Sequence, residues 1–155
     1  MKIGILGTGM IVKALMKTLH LLNFESIYIL GTESTKEETA SMAKLHGLQK
    51  CYYDYDALLN SDVDTIYVAL PNHLHYDFAK RALLKNKHVI IEKPITTNLT
   101  ELQELVQLAE QTSNIIVEAM NIHYLPAYQS LRHQLTDIGD IKREGNRFIF
   151  SDYIF

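Results

Sequence analysis

Apolar residues along this chain follow two alternating rhythms. Short runs at 3–6, 27–30, 65–70, 89–91 and 115–119 read as strands. Several lack polar alternation, which predicts burial on both faces of a parallel sheet. Between them, apolar residues recur at three- and four-residue spacings. Ile11, Ala14, Leu15, Thr18, Leu19 and Leu22 predict one buried helix face. A second helix is expected over 35–46 with Gly47 as its stop, then a short strand at 51–53 and a short helix at 55–59. Helices follow over 75–86, with Ala79, Ala82 and Leu83 inward, and over 98–111, with Leu102, Leu105, Val106 and Ala109 inward and Asn98 and Glu101 placed as a capping pair. Pro126 opens a last helix, running to about residue 135.

Strand and helix alternating at this pitch imply right-handed βαβ units and an α/β fold, a doubly wound parallel sheet of the Rossmann type. Ligands of such sheets bind beyond the carboxyl ends of the strands, so residues just after each strand carry most of the functional weight. The segment 141–155 breaks the pattern. It is rich in Ile, Phe and Tyr like a strand, yet no further strand follows it in this sequence. It is expected to be an orphan strand that pairs with a second copy, folds back or stays disordered.

Composition narrows the class. With 155 residues, 47% hydrophobic and 21% charged, the chain has the balance of a globular protein rather than of a disordered segment or collagen. The net charge of -3 argues against nucleic acid as main partner. No run reaches the roughly 18 apolar residues of a membrane span. The single Cys51 excludes an intramolecular disulfide and points to a reducing, cytoplasmic setting.

Four constellations carry chemistry. Gly7-Thr8-Gly9-Met10-Ile11-Val12 lies between the first strand and the first helix. Gly7 suits the tight turn and Gly9 lets the backbone approach a pyrophosphate, while Val12 stands where a third glycine is usual. A strand-to-helix turn without a ligand is the plainer alternative. After the second strand, Glu33 stands 24 residues beyond Gly9 with no Arg nearby. A carboxylate there accepts hydrogen bonds from an adenosine ribose and leans toward NAD; Ser34, Thr35 and Lys36 offer the alternative of cradling the extra phosphate of NADP. Pro71-Asn72-His73-Leu74-His75 follows the fourth strand; His73 and His75, two residues apart with no third ligand, make a poor metal site. Glu92-Lys93-Pro94 ends the fifth strand, where Lys93 is placed to bind a substrate oxygen and help move its proton, and Glu92 to orient it. A surface Glu–Lys pair is the plainer alternative.

These residues together resemble the Gfo/Idh/MocA oxidoreductases. The run Tyr67-Val68-Ala69-Leu70-Pro71-Asn72, then His75, then Lys87-His88-Val89-Ile90-Ile91-Glu92-Lys93-Pro94 carries most of the resemblance, with Val117-Glu118-Ala119-Met120 and Pro126-Ala127-Tyr128 extending it to about residue 135. The resemblance implies a dinucleotide-binding domain over 1–136 and the start of a second, substrate-binding domain over 137–155. It implies Gly7, Gly9 and Met10 around the pyrophosphate, and Glu33 or Ser34 at the adenosine ribose. Pro71, Asn72 and His75 then lie along the cofactor, Glu92 and Lys93 beside the nicotinamide, and Lys93 matches the family's catalytic lysine. The expected activity is hydride transfer between NAD or NADP and a hydroxyl or carbonyl carbon of a sugar, cyclitol or diol. No counterpart of the family's second catalytic group, a His or Tyr of the substrate domain, is assigned; His123 and Tyr124 are left without a role. A non-catalytic dinucleotide-binding module or redox-ratio sensor is the alternative.

Overall fold

The computed structural model describes residues 1–134 and the strand segments 141–144 and 147–150. The chain divides into two compact units, Met1–Ala119 and Met120–Phe155. In the first, strands β1 (Lys2–Leu6), β2 (Ser26–Leu30), β3 (Lys50–Tyr52), β4 (Thr65–Val68), β5 (His88–Ile91) and β6 (Ile116–Glu118) form a parallel sheet in the order β3-β2-β1-β4-β5-β6. Ile5 of β1 stands beside Ile29 of β2 on one side and Tyr67 of β4 on the other. The chain winds outward in opposite directions from β1 and β4, which opens a crevice at their carboxyl ends.

Helices α1 (Met10–Met16), α2 (Lys36–His46), α3 (Tyr55–Leu59), α4 (His75–Leu84) and α5 (Leu99–Thr112) cover both faces. Leu58, Leu59, Ile66, Leu83, Ile91 and Leu105 fill one core; Ile3, Ile5, Val12, Met16 and Ile29 fill the other. All four residues of β4 are buried, as its unbroken apolar run requires. The expected caps form. Gly47 ends α2 in the left-handed region at φ +66°, and Asn98 Oδ1 accepts the Glu101 N–H at 2.9 Å.

The first helix differs from its expected form. α1 has only seven residues, and the chain continues through a single 3-10 turn at Leu19–Leu21. The buried positions are Val12, Met16 and Leu19, while Ile11 (46%) and Leu22 (51%) are exposed. Residues 11–22 are not one helix, so a 3.6-residue period drawn through them selects the wrong side. On α5, Leu105 and Ala109 are buried but Val106 faces solvent.

In the second unit, a 3-10 turn at Asn121–Tyr124 precedes α6 (Pro126–Gln134). The expected orphan strand is corrected here. Strands β7 (Ile141–Glu144) and β8 (Arg147–Phe150) pair with each other, antiparallel, Ile141 against Phe150 and Glu144 against Arg147. Gly145-Asn146 separates them in sequence, a dipeptide type favoured in hairpin connections, so the apolar run has its own partner. The expected domain boundary at 136/137 and the end of the tail, 151–155, lie outside the described residues.

Candidate functional site

The carboxyl ends of β1, β2, β4, β5 and β6 bring most of the expected residues to one edge of the sheet. At the first turn, the Gly7 N–H donates to Leu30 O at 2.9 Å and φ is +101°. A Cβ there would lie 3.0 Å from Ala69 O, so both conformation and space demand glycine. An added Cβ at Gly9 would meet no protein atom within 4 Å, and Gly9 and Met10 are exposed. The start of α1 has no side-chain cap and no acidic residue in its first turn. Among the described residues no side chain caps its leading N–H groups, which is the arrangement an anion-binding helix start requires. Val12 is fully buried against the sheet, so it closes the helix–strand packing and leaves the turn open.

One side chain of α2 braces this turn and the helix that follows it. Glu38 accepts the Thr8 hydroxyl at 3.1 Å and pairs with Lys13 at 2.6 Å. The Lys13 ammonium first, and the Thr8 hydroxyl second, hold the Glu38 carboxyl below its ordinary range. Sequence reading missed Glu38 because its partners lie 25 and 30 residues away.

Beyond β2, Glu33 and Ser34 are exposed beside a shallow pocket of about 460 Å³ that Lys36, Glu37 and Glu38 complete. Glu33 pairs with Lys36 at 3.2 Å, and the hydroxyls of Thr32 and Ser34 meet at 2.8 Å. Gly31 sits directly under this turn. A Cβ on it would lie 2.1 Å from Thr39 Oγ1, a buried hydroxyl that donates to Thr35 O at 2.7 Å.

At the other end of the crevice, Pro71 and Asn72 are exposed after β4, and Lys93 is exposed after β5. Among the described residues the Lys93 ammonium has no hydrogen-bond or ion-pair partner. The plainer alternative, a surface Glu92–Lys93 pair, does not form; Glu92 instead accepts the Tyr67 hydroxyl from β4. Burial, and then the contact with Glu92, holds the Tyr67 phenol well above its ordinary range, so it remains a donor. A Tyr between Ile66 and Val68, in the middle of a strand buried on both faces, is the legible signal for this residue. The Lys93–Pro94 peptide bond is cis.

His75 occupies a different place from an open cleft residue. Its ring is 0% exposed, with Nδ1 2.8 Å from Pro94 O and Nε2 2.7 Å from Leu70 O. Carbonyl oxygens only accept, so both contacts are hydrogen bonds when the ring carries both protons, and one is when it carries one. Either way the ring has no atom left to offer a ligand, and it acts on the two loops instead. Among the described residues no group of three or more His, Cys, Asp or Glu side chains is arranged to hold a metal ion. In the second unit, His123 stacks edge-on against Tyr128 at 5.6 Å, and Tyr124 is exposed.

A doubly wound sheet with an open glycine turn at its switch point and a lone lysine at the end of β5 defines a nucleotide-binding α/β domain. Over residues 1–120 the chain matches the model described as "Oxidoreductase family, NAD-binding Rossmann fold", and it belongs to that family, the Gfo/Idh/MocA oxidoreductases. Among curated relatives, it is 28% identical over 144 residues to scyllo-inositol 2-dehydrogenase (NADP(+)) of Bacillus subtilis, covering 92% of this chain and 43% of that protein. It is 30% identical over 145 residues to trans-1,2-dihydrobenzene-1,2-diol dehydrogenase of Xenopus laevis, covering 91% and 44%. Its fold is similar to a 3-ketoreductase of Actinomadura kijaniata crystallised with NADP and TDP-benzene, with a TM-score of 0.81, 26% identity, and 91% and 44% of the two chains covered. The chain thus spans less than half the length of these relatives. Among the described residues no helix is long and apolar enough to cross a membrane.

Proposed function

We propose that this chain is the nucleotide-binding part of an NAD(P)-dependent dehydrogenase acting on a hydroxyl or carbonyl carbon of a sugar, cyclitol or diol. The observation that carries the reading is Lys93, a side chain without a partner among the described residues, at the end of β5 and on the same sheet edge as the open glycine turn. A bound nicotinamide dinucleotide supplies the hydride acceptor that no side chain provides. Gly7, Gly9 and Met10 hold the pyrophosphate, Glu33 or Ser34 the adenosine ribose, and Pro71, Asn72 and Glu92 border the nicotinamide end. As the neutral amine Lys93 takes the hydroxyl proton when alcohol becomes carbonyl, and as the ammonium it returns it in the reverse direction. The half-buried, unpaired Cys51 fits the reducing cytoplasm proposed for the protein.

Calorimetric titration of the chain with NADH and with NADPH tests the binding. Heat with neither ligand in a folded sample removes the reading. The Glu33 carboxylate favours NAD(H), because a 2′-phosphate would meet a like charge. Glu33→Ala is therefore expected to raise affinity for NADPH relative to NADH by about tenfold, one like-charge contact's worth. If the parent already prefers NADPH and Glu33→Ala leaves the ratio unmoved, the hydroxyls of Thr32 and Ser34 with Lys36 are the phosphate cradle.

The alternative is a non-catalytic dinucleotide module or redox-ratio sensor, for which the open glycine turn alone would suffice. Turnover assays over a panel of polyols, with the parent and Lys93→Ala, separate the two. Lys93-dependent reduction of NAD or NADP by the chain establishes the enzyme. Tight binding with no turnover on any polyol establishes the module.

A further inference from the structure

We infer that Glu118 and His75 are positioning residues that set the Lys93 turn by gripping, from opposite sides, the single peptide group that follows it; this rests on the proposed dinucleotide reading. Pro94 O and the Ile95 N–H belong to one peptide unit. His75 Nδ1 lies 2.8 Å from its oxygen, and Glu118 Oε1 accepts its N–H at 3.0 Å. The two side chains come from different elements, His75 from the first residue of α4 and Glu118 from the end of β6. A peptide held only at its oxygen or only at its N–H can still swing about that bond. Held at both, its plane is fixed.

The grip extends across three neighbouring strands. His75 Nε2 reaches Leu70 O, just past β4, so the same ring ties the Pro71-Asn72 loop to the Lys93 turn. Backbone bonds brace the turn from below, Glu92 N–H to Val68 O at 3.0 Å and Ala119 N–H to Ile91 O at 2.7 Å. Neither His75 nor Glu118 touches Lys93 in this arrangement, and both act on it through the chain. Ordinary surface roles do not account for them. His75 is fully buried in a contact that joins two loops, and Glu118 spends a partly buried carboxylate on one backbone donor.

The role predicts a selective defect at the nicotinamide end. ADP-ribose shares the adenosine, pyrophosphate and second ribose of the dinucleotide but lacks nicotinamide. The chain is titrated with ADP-ribose and with whichever of NADH and NADPH the parent binds more tightly, following the fluorescence of the reduced nicotinamide for the latter. Glu118→Ala is expected to weaken the reduced dinucleotide about tenfold, as for one lost hydrogen bond to a charged group. ADP-ribose affinity stays at the parental value, and the melting temperature falls by only a few degrees, about what one lost hydrogen bond costs. Glu118→Gln keeps an oxygen that can accept from Ile95 and is expected to restore the dinucleotide. His75→Phe fills the ring's volume without its donors and is expected to show the same selectivity as Glu118→Ala. Because His75 is in the core, the two Glu118 variants decide the matter if His75→Phe does not fold. Equal affinity of Glu118→Ala and parent for both ligands overturns the inference, as does parallel loss of both. A parent that binds neither ligand overturns the dinucleotide reading itself, a failure distinct from these two.

Discussion

Lys93→Ala is expected to lower polyol-dependent reduction of NAD or NADP by about 10²–10⁴-fold, the usual contribution of a group that moves a proton in the transition state. The melting temperature should stay where it is. Lys93 is exposed and has no partner among the described residues, and surface positions of that kind shift stability by only about 0.5 kcal/mol either way. Lys93→Arg separates charge from proton transfer. A guanidinium retains the positive charge but does not give up its proton, so this variant should bind dinucleotide like the parent and remain as inactive as Lys93→Ala. Recovery of turnover in Lys93→Arg would make the lysine an electrostatic anchor and not the proton carrier.

Gly31→Ala should be the most damaging small substitution outside the two cores. The new methyl would stand 2.1 Å from Thr39 Oγ1 and 3.0 Å from its Cβ. A threonine has little reach, so relief requires turning the side chain, which breaks its bond to Thr35 O, or pushing α2 outward. Overpacking of this kind costs about 1–3 kcal/mol. In a chain of this length that lowers the melting temperature by roughly 3–10 °C. The contact is local, so Thr39→Ala in the same chain should recover part of the loss, and a double-mutant cycle should show coupling between the two positions. Simple additivity would mean that Gly31 tolerates a side chain for a reason the packing does not reveal.

The sequence made the layer order and the sheet legible because parallel strands buried on both faces leave unbroken apolar runs, and β4 is the clearest case. It also made the site's edge legible. Gly7 follows directly on such a run and Glu33, Asn72 and Lys93 stand within three residues of one, and in a doubly wound sheet that position is the ligand edge. Two things were less visible. α1 is so short that apolar residues of the following turn, Leu21 and Leu22, imitate a continuing helix, and the true face through Val12 and Met16 is obscured. The supporting side chains are defined by partners distant in sequence. Glu38 is fixed by Thr8 and Lys13, Glu118 by Ile95, and Tyr67 by Glu92, 25 residues on. Periodicity reports which face a residue occupies and is silent on what meets it there. The β7–β8 pair is different: Gly145-Asn146, a turn-type dipeptide between two strand-like runs, is a signal for two strands where the overall apolar richness suggests one.

The tie running from Leu70 through His75 to the Pro94–Ile95 peptide and on to Glu118 is complete within Met1–Ala119. If the inferred grip holds, the posture of the lysine is decided locally, by the ends of neighbouring strands. On the proposed reading, a scaffold built so would keep its proton-handling apparatus constant while the surfaces that choose among alcohols are exchanged. Relatives bearing the names of an inositol, a dihydrodiol and a xylose dehydrogenase align with this same stretch. Diversification in this lineage is then expected to fall outside the tied residues.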